Sequence, residues 1–262
     1  MRIGAYQFAV SGSMEQNLQH FRRAIQQAAE ESVRLLAFAE CALTGYPGEN
    51  VQTADAIDLF LLTKYQHEFE ELASRHQMHL LFGAVERVDS DCFNSAYWIK
   101  PGEQARSIYQ KRAIWGWDTE NFRAGALDDG VIEIDGFRIG VRICYEVRFP
   151  EYFRELYVRR ADCAVVLFAD RSEPDVPGRY DLILAHLRTR AVENVMQLVS
   201  VNDSAIFQTA PTAAIDENGM IVQHLERHKE GLLVYELEKR EELSFGATGR
   251  RFVSDQLMRI RR

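Results

Sequence analysis

The chain has 262 residues, 47% hydrophobic and 27% charged, the balance of a globular protein long enough for one large α/β core. No run of about 18 apolar residues is present to cross a bilayer, and the formal net charge of −8 opposes nonspecific attraction to phosphate backbones, so neither a membrane nor a nucleic acid is an expected partner. Four scattered cysteines, Cys41, Cys92, Cys144 and Cys163, have no paired spacing and are read as reduced thiols.

The opening Met1-Arg2-Ile3-Gly4-Ala5-Tyr6 starts an alternating strand over residues 3–9 and lacks the apolar stretch of a signal peptide, so a cytoplasmic location is expected. Ser13 and Gln16 have capping-box spacing, and Leu18, Phe21, Ile25 and Ala28 then predict a helix to about Glu31. The apolar run Leu35 to Ala39 reads as a buried strand ending in Glu40, followed by the turn formers Thr44-Gly45-Tyr46-Pro47-Gly48. A second helix is expected over residues 55–76, with Leu59, Leu62, Phe69 and Leu72 on its apolar face, then a strand from His79 to Val85. Two strands joined at Pro101-Gly102 fill Phe93 to Lys111, and a hairpin at Asp135-Gly136 leads directly into Cys144. Pro150 suits the first turn of a helix. A strand over Cys163–Ala169, a helix over Asp181–Glu193, a strand over Met196–Val201 and a hairpin around Asn218-Gly219 complete the pattern. The ending Arg259-Ile260-Arg261-Arg262 reads as a solvated tail. Interleaved helices and strands without a low-complexity linker predict one α/β domain over residues 1–262.

A cysteine at the end of a strand and just before a helix stands where α/β folds form pockets. An ordinary thiol is mostly protonated at neutral pH and needs a base or a nearby cation to act as a nucleophile. By itself Cys144 reads more readily as a buried structural cysteine than as a catalytic one. Three separated segments, however, resemble the nitrilase (carbon-nitrogen hydrolase) superfamily: Phe-Ala-Glu-Cys-Ala-Leu-Thr-Gly-Tyr-Pro at 38–47, Tyr-Gln-Lys-Arg-Ala-Ile at 109–114, and Arg-Ile-Cys-Tyr-Glu-Val-Arg-Phe-Pro at 142–150.

The resemblance implies a four-layer αββα sandwich that pairs with a second subunit as a homodimer or larger homo-oligomer. It also implies a hydrolase of non-peptide carbon–nitrogen bonds with Cys144 as nucleophile, Glu40 as acid-base and Lys111 as oxyanion stabiliser. A second carboxylate is implied between the lysine and cysteine segments; Glu120 is chosen for reach and residue type, although counting back from Gly125 aligns Asp118 instead. No cofactor or metal is implied. The backbone N–H of Tyr145 would assist Lys111, and Glu146 is a substrate-binding candidate with a salt bridge to Arg142 or Arg148 as the alternative. Trp115 and Trp117 wall a pocket or pack elsewhere, and Asn202 shapes the pocket end or caps a strand.

Some residues depart from the family pattern. Ala39 and Ala124 stand where many relatives have proline, which changes loop stiffness more than chemistry. The charged stretch Ala169-Asp170-Arg171-Ser172-Glu173-Pro174 replaces a less charged one, so Asp170 or Arg171 is expected to select a polar or charged substrate tail. A small amide is the expected substrate. A carbamoyl compound or a nitrile remains open within the same chemistry, as does a catalytically silent binding or redox-sensing protein of the same fold. His76 and His79 straddle a helix end without further ligands, and His186 lies on a helix where packing is the simpler role.

Overall fold

The computed structural model describes residues 1–126, 130–240 and 242–259. The basic ending therefore lies outside the described residues from Ile260 onward.

Three parallel strands, β1 (Arg2–Gln7), β2 (Leu35–Phe38) and β3 (His79–Val88), form the middle of one sheet. The antiparallel β4 (Asp91–Ile99) and β5 (Arg106–Gln110) extend it on one side, and the antiparallel β12 (Gly231–Glu236) closes the other, giving the order β12-β1-β2-β3-β4-β5. A second six-stranded sheet has the order β11-β10-β9-β8-β7-β6. Its parallel centre is β7 (Phe137–Ile143), β8 (Cys163–Leu167) and β9 (Gln197–Val201). The antiparallel β6 (Val131–Ile134), β10 (Ala213–Ile215) and β11 (Ile221–His224) flank it.

The two sheets face each other across Ile3, Ala5, Leu35, Ala37 and Leu81 on one side and Val141, Ile143, Val165, Leu167 and Val199 on the other. Alternate residues of the same strands point outward. Phe38 and Phe82 meet Phe21 and Phe69 of α1 (Met14–Glu30) and α2 (Leu59–His76), whereas Ala164 and Val166 meet Phe153 and Leu187 of α4 (Pro150–Val158) and α5 (Pro177–Asn194). The layers are thus helix, sheet, sheet, helix. Burial on both faces explains why the central strands read as unbroken apolar runs, without alternation.

Several boundaries differ from expectation for local reasons. The second helix begins at Leu59, because Asp58 accepts the Leu61 N–H at 3.0 Å, and residues 54–56 form a separate 3-10 turn. The fifth begins at Pro177, a turn before the expected Asp181. Between them lies α3, a single turn over Asp118–Asn121. A last helix, α6 (Phe245–Leu257), escaped the sequence reading: its apolar Phe245, Phe252, Val253 and Leu257 are exposed, so no core periodicity announces it.

Candidate active site

Strand direction gathers the reactive groups. Glu40 follows β2 and Cys144 follows β7; Lys111 follows β5, which runs the same way as β3 because two antiparallel steps separate them. The sheets are stitched together at this end, where the Glu40 N–H donates to Phe168 O at 3.2 Å and the Ala169 N–H donates to Glu40 Oε2 at 2.8 Å. Glu40 Oε1 accepts from Asn94 Nδ2 at 2.7 Å and from Lys111 Nζ at 2.9 Å. Three donors thereby hold the carboxylate of a residue that is only 1% exposed.

Lys111 Nζ also reaches Asp118 Oδ2 at 2.8 Å, and Tyr46 donates its hydroxyl to the other oxygen of Asp118. Glu120 was the sequence choice for the second carboxylate; the structure puts Asp118 beside the ammonium and leaves Glu120 exposed. The reason is rotation: two residues along a helical turn are about 200° apart, so only one of them faces inward. The spacing back from Gly125 carried that signal.

Cys144 is half-buried, and its thiol feels the charges of Glu40, Lys111 and Asp170. Cys144 itself has φ of 46°, a left-handed conformation that side chains rarely adopt. Strain of this kind collects where a side chain must be presented at a fixed angle. Burial pushes the thiol well above its ordinary pKa, the Glu40 charge adds to the rise, and Lys111 opposes it. Glu40 is raised too, first by burial and then by Asp118 against the pull of Lys111. Burial works against the charge on Lys111, but the surrounding Glu40, Tyr46, Cys144 and Asp118 raise its pKa overall. Sulfur therefore rests as a thiol, close to a carboxyl group whose own pKa is raised.

A cavity of about 310 Å3 opens onto Cys144, lined among others by Tyr46, Lys111, Tyr145, Asp170 and Arg171. Trp115 and Trp117, 73% and 62% exposed, stand at its mouth, so both wall the pocket in place of core packing. A larger hollow of about 390 Å3 lies near Tyr157 and Asp255, away from the thiol, and holds none of these groups.

Glu146 does not line the cavity. Its carboxylate is fully buried and accepts from the Ile143 N–H at 2.9 Å, the Arg112 N–H at 2.8 Å and the Tyr109 hydroxyl at 2.7 Å. It ties the backbone before Cys144 to the backbone after Lys111, a positioning task that replaces the expected substrate contact. Asp170 is held by Arg179 at 2.6 Å and Thr209 at 2.7 Å, and Arg171 is ion-paired with Glu49. Asn202 is buried, accepting from the Asp170 N–H and donating to Asp170 O, so it braces the loop after β8. His79 stacks on Trp98 and accepts its indole N–H at 3.2 Å, and no group of metal-ligating side chains occurs among the described residues.

Gly83 escaped the sequence reading. A Cβ there would fall 2.3 Å from Cys41 N and 2.6 Å from Glu40 Cα, so glycine lets β3 pass against the backbone that carries Glu40.

A thiol, a buried carboxyl group and a fixed ammonium gathered at one end of the sheets suit a hydrolase that passes an acyl group through sulfur. The chain belongs to the carbon-nitrogen hydrolase family, whose model matches residues 2–242. A probable nitrilase of Schizosaccharomyces pombe is 24% identical over 234 residues, covering 86% of this chain and 84% of that protein. The 2-oxoglutaramate amidase of Bacillus subtilis is 28% identical over 203 residues, covering 76% and 75%. In fold, an amidase from Nesterenkonia sp. superposes with a TM-score of 0.77 at 22% identity, covering 89% of both chains.

Proposed function

We propose that this carbon-nitrogen hydrolase is an amidase that cleaves a small non-peptide amide through a thioester on Cys144. The observation that carries the reading is the buried Glu40–Lys111 pair, 2.9 Å apart, with Lys111 and Cys144 lining one cavity and the Glu40 charge acting on the thiol. Amides resist hydrolysis because resonance weakens the carbonyl as an electrophile and the amine leaves poorly, so a nucleophile, an oxyanion partner and a proton donor must act together. Glu40 takes the thiol proton as Sγ attacks the carbonyl carbon. Negative charge moves to the carbonyl oxygen, where Lys111 Nζ and the Tyr145 N–H stabilise it; that N–H lies in the first turn of the 3-10 segment Cys144–Arg148, which supplies it no partner. The tetrahedral adduct collapses, the C–N bond breaks, and Glu40 returns the proton to the leaving ammonia. Water then attacks the thioester while Glu40 accepts its proton, and the carboxylic acid leaves as the thiol reforms.

The raised pKa of Glu40 supports this double duty, since a group that stayed ionised throughout could not serve the leaving ammonia. Asp118 enters the proposal as the carboxylate that holds Lys111 and raises Glu40. Likeness to the 2-oxoglutaramate amidase of Bacillus subtilis supports an amide over a nitrile. Four free thiols support a reducing, cytoplasmic compartment, and the exposed apolar side chains of α6 support pairing of two copies. A panel of amides, carbamoyl amino acids and nitriles, assayed for ammonia, tests the reaction. Amides should be turned over fastest; turnover confined to nitriles or carbamoyl compounds would reject the amidase reading.

A further inference from the structure

The cavity of about 390 Å3 lies at the far end of elements that also serve the catalytic one. The helix α5 is about 27 Å long at 1.5 Å per residue. Arg179, near its start, lines the cavity that opens onto Cys144, and Asn194, its last residue, lines the second cavity. Tyr157 of α4 forms another wall, and Arg251 and Asp255, one turn apart on α6, form a third.

Two buried oxygens in these walls lack a donor. Asn194, 2% exposed, donates its amide to Arg190 O at 2.9 Å, but its Oδ1 has no hydrogen-bond partner. Glu217, 7% exposed, meets Arg240 at 3.6 Å through Oε1, whereas its Oε2 has none. One buried donor is also unmatched, Nε of Arg251. The neighbouring acids are engaged elsewhere: Asp255 with the Tyr157 hydroxyl at 2.6 Å and Arg160 at 3.0 Å, Glu238 with Arg240 at 3.3 Å. Arg251 has no ion pair among the described residues.

A buried polar atom that finds no partner bears the cost of losing its water, so such atoms are few in folded proteins. Three around one cavity describe the group they would take. The two oxygens call for donors, and a primary ammonium brings three N–H groups and no acceptor. The guanidinium calls for an anion, and its fork matches a carboxylate. One small molecule that carries both is an amino acid. Ala161, Val195 and Leu243 give the cavity an apolar wall for an uncharged side chain, and its volume suits a ligand of that size. The exposed Phe245, Val253 and Leu257 of α6 do not line it, so pairing of two copies through them does not fill it.

We infer that this cavity is a second ligand site, separate from the catalytic one, for a small amino acid with an uncharged side chain: the ammonium on Glu217 and Asn194, the carboxylate on Arg251.

The test titrates the full chain, alkylated at Cys144 with iodoacetamide to block the catalytic cavity, with L-alanine, L-valine and L-leucine by calorimetry. At least one should bind saturably, one molecule per chain. Glu217→Gln and Arg251→Met should each weaken that binding by about 10-fold or more, the worth of a charge-assisted pair. The matching amine and the matching carboxylic acid, each missing one charged group, should bind weaker by a similar factor. No saturable binding of any of the three, affinities unchanged in both variants, or single-charge analogues that bind as well as the amino acid would overturn the inference. A second measurement needs no variant. Hydrogen exchange of the wild type with the bound amino acid should slow over residues 216–219 and 247–255 and stay unchanged over 144–148; slowing confined to 144–148 would place the ligand at the catalytic cavity and overturn the inference.

Discussion

Asp203→Asn is expected to stabilise the protein, by an amount that grows with pH. Asp203 follows β9, is 1% exposed, and accepts the Ala205 N–H at 3.1 Å. Burial outweighs Arg171 and that hydrogen bond, and with Glu49 and Glu40 nearby the carboxyl rises from 3.8 to about 6. A raised carboxyl favours the folded state only while it is protonated, so its contribution is whole below about pH 4 and lost as the pH climbs through 6. A shift of about two units costs about 3 kcal/mol at pH 8, and about half of that at pH 5. Asparagine keeps an oxygen for Ala205 and carries no charge. Urea unfolding should therefore find the variant more stable by up to about 3 kcal/mol at pH 8 and by about 1.5 kcal/mol at pH 5. No gain at pH 8, or the same gain at both, would refute the view that an uncompensated charge is the source.

Two substitutions should move the acid limb of the kcat/KM profile in opposite directions. Asp118→Asn removes a negative charge that raises Glu40, so the limb should shift to lower pH, while Glu120→Gln at the exposed position should change turnover by less than about twofold. Lys111→Met removes the cation that lowers Glu40, so the limb should shift to higher pH, with kcat reduced about 100- to 1000-fold through loss of oxyanion stabilisation. Gly83→Ala should destabilise the fold by about 1–3 kcal/mol and lower kcat in protein that remains folded, because the new methyl meets the Glu40 and Cys41 backbone and not a side chain that can turn away. Thermal unfolding together with activity at low temperature separates the two effects.

The parts of this site legible in the sequence are those whose neighbours along the chain announce them. Apolar runs buried on both faces marked β2 and β8, and a turn pair with positive φ at Asp135 and Gly136 marked the hairpin that delivers Cys144. Composition and spacing could not distinguish this four-layer arrangement from other α/β folds; the family resemblance supplied it. Side-chain direction was harder. Asp118 and Glu120 share one helical turn, and only the fold decides which meets Lys111. Glu146 reads as a pocket residue until the backbone N–H groups of Ile143 and Arg112, 31 residues apart in sequence, are seen to converge on it. Asp170 and Arg171 looked available because their partners, Arg179 and Glu49, are brought in by other segments.

The most direct test is the intact mass of the protein quenched in acid during turnover of an amide, followed by mapping of the modified peptide. The account predicts an added acyl group on Cys144, ammonia released with it, and neither in Cys144→Ala. Ammonia release that persists in Cys144→Ala, or an acyl group found on Cys41, Cys92 or Cys163 instead, would contradict it.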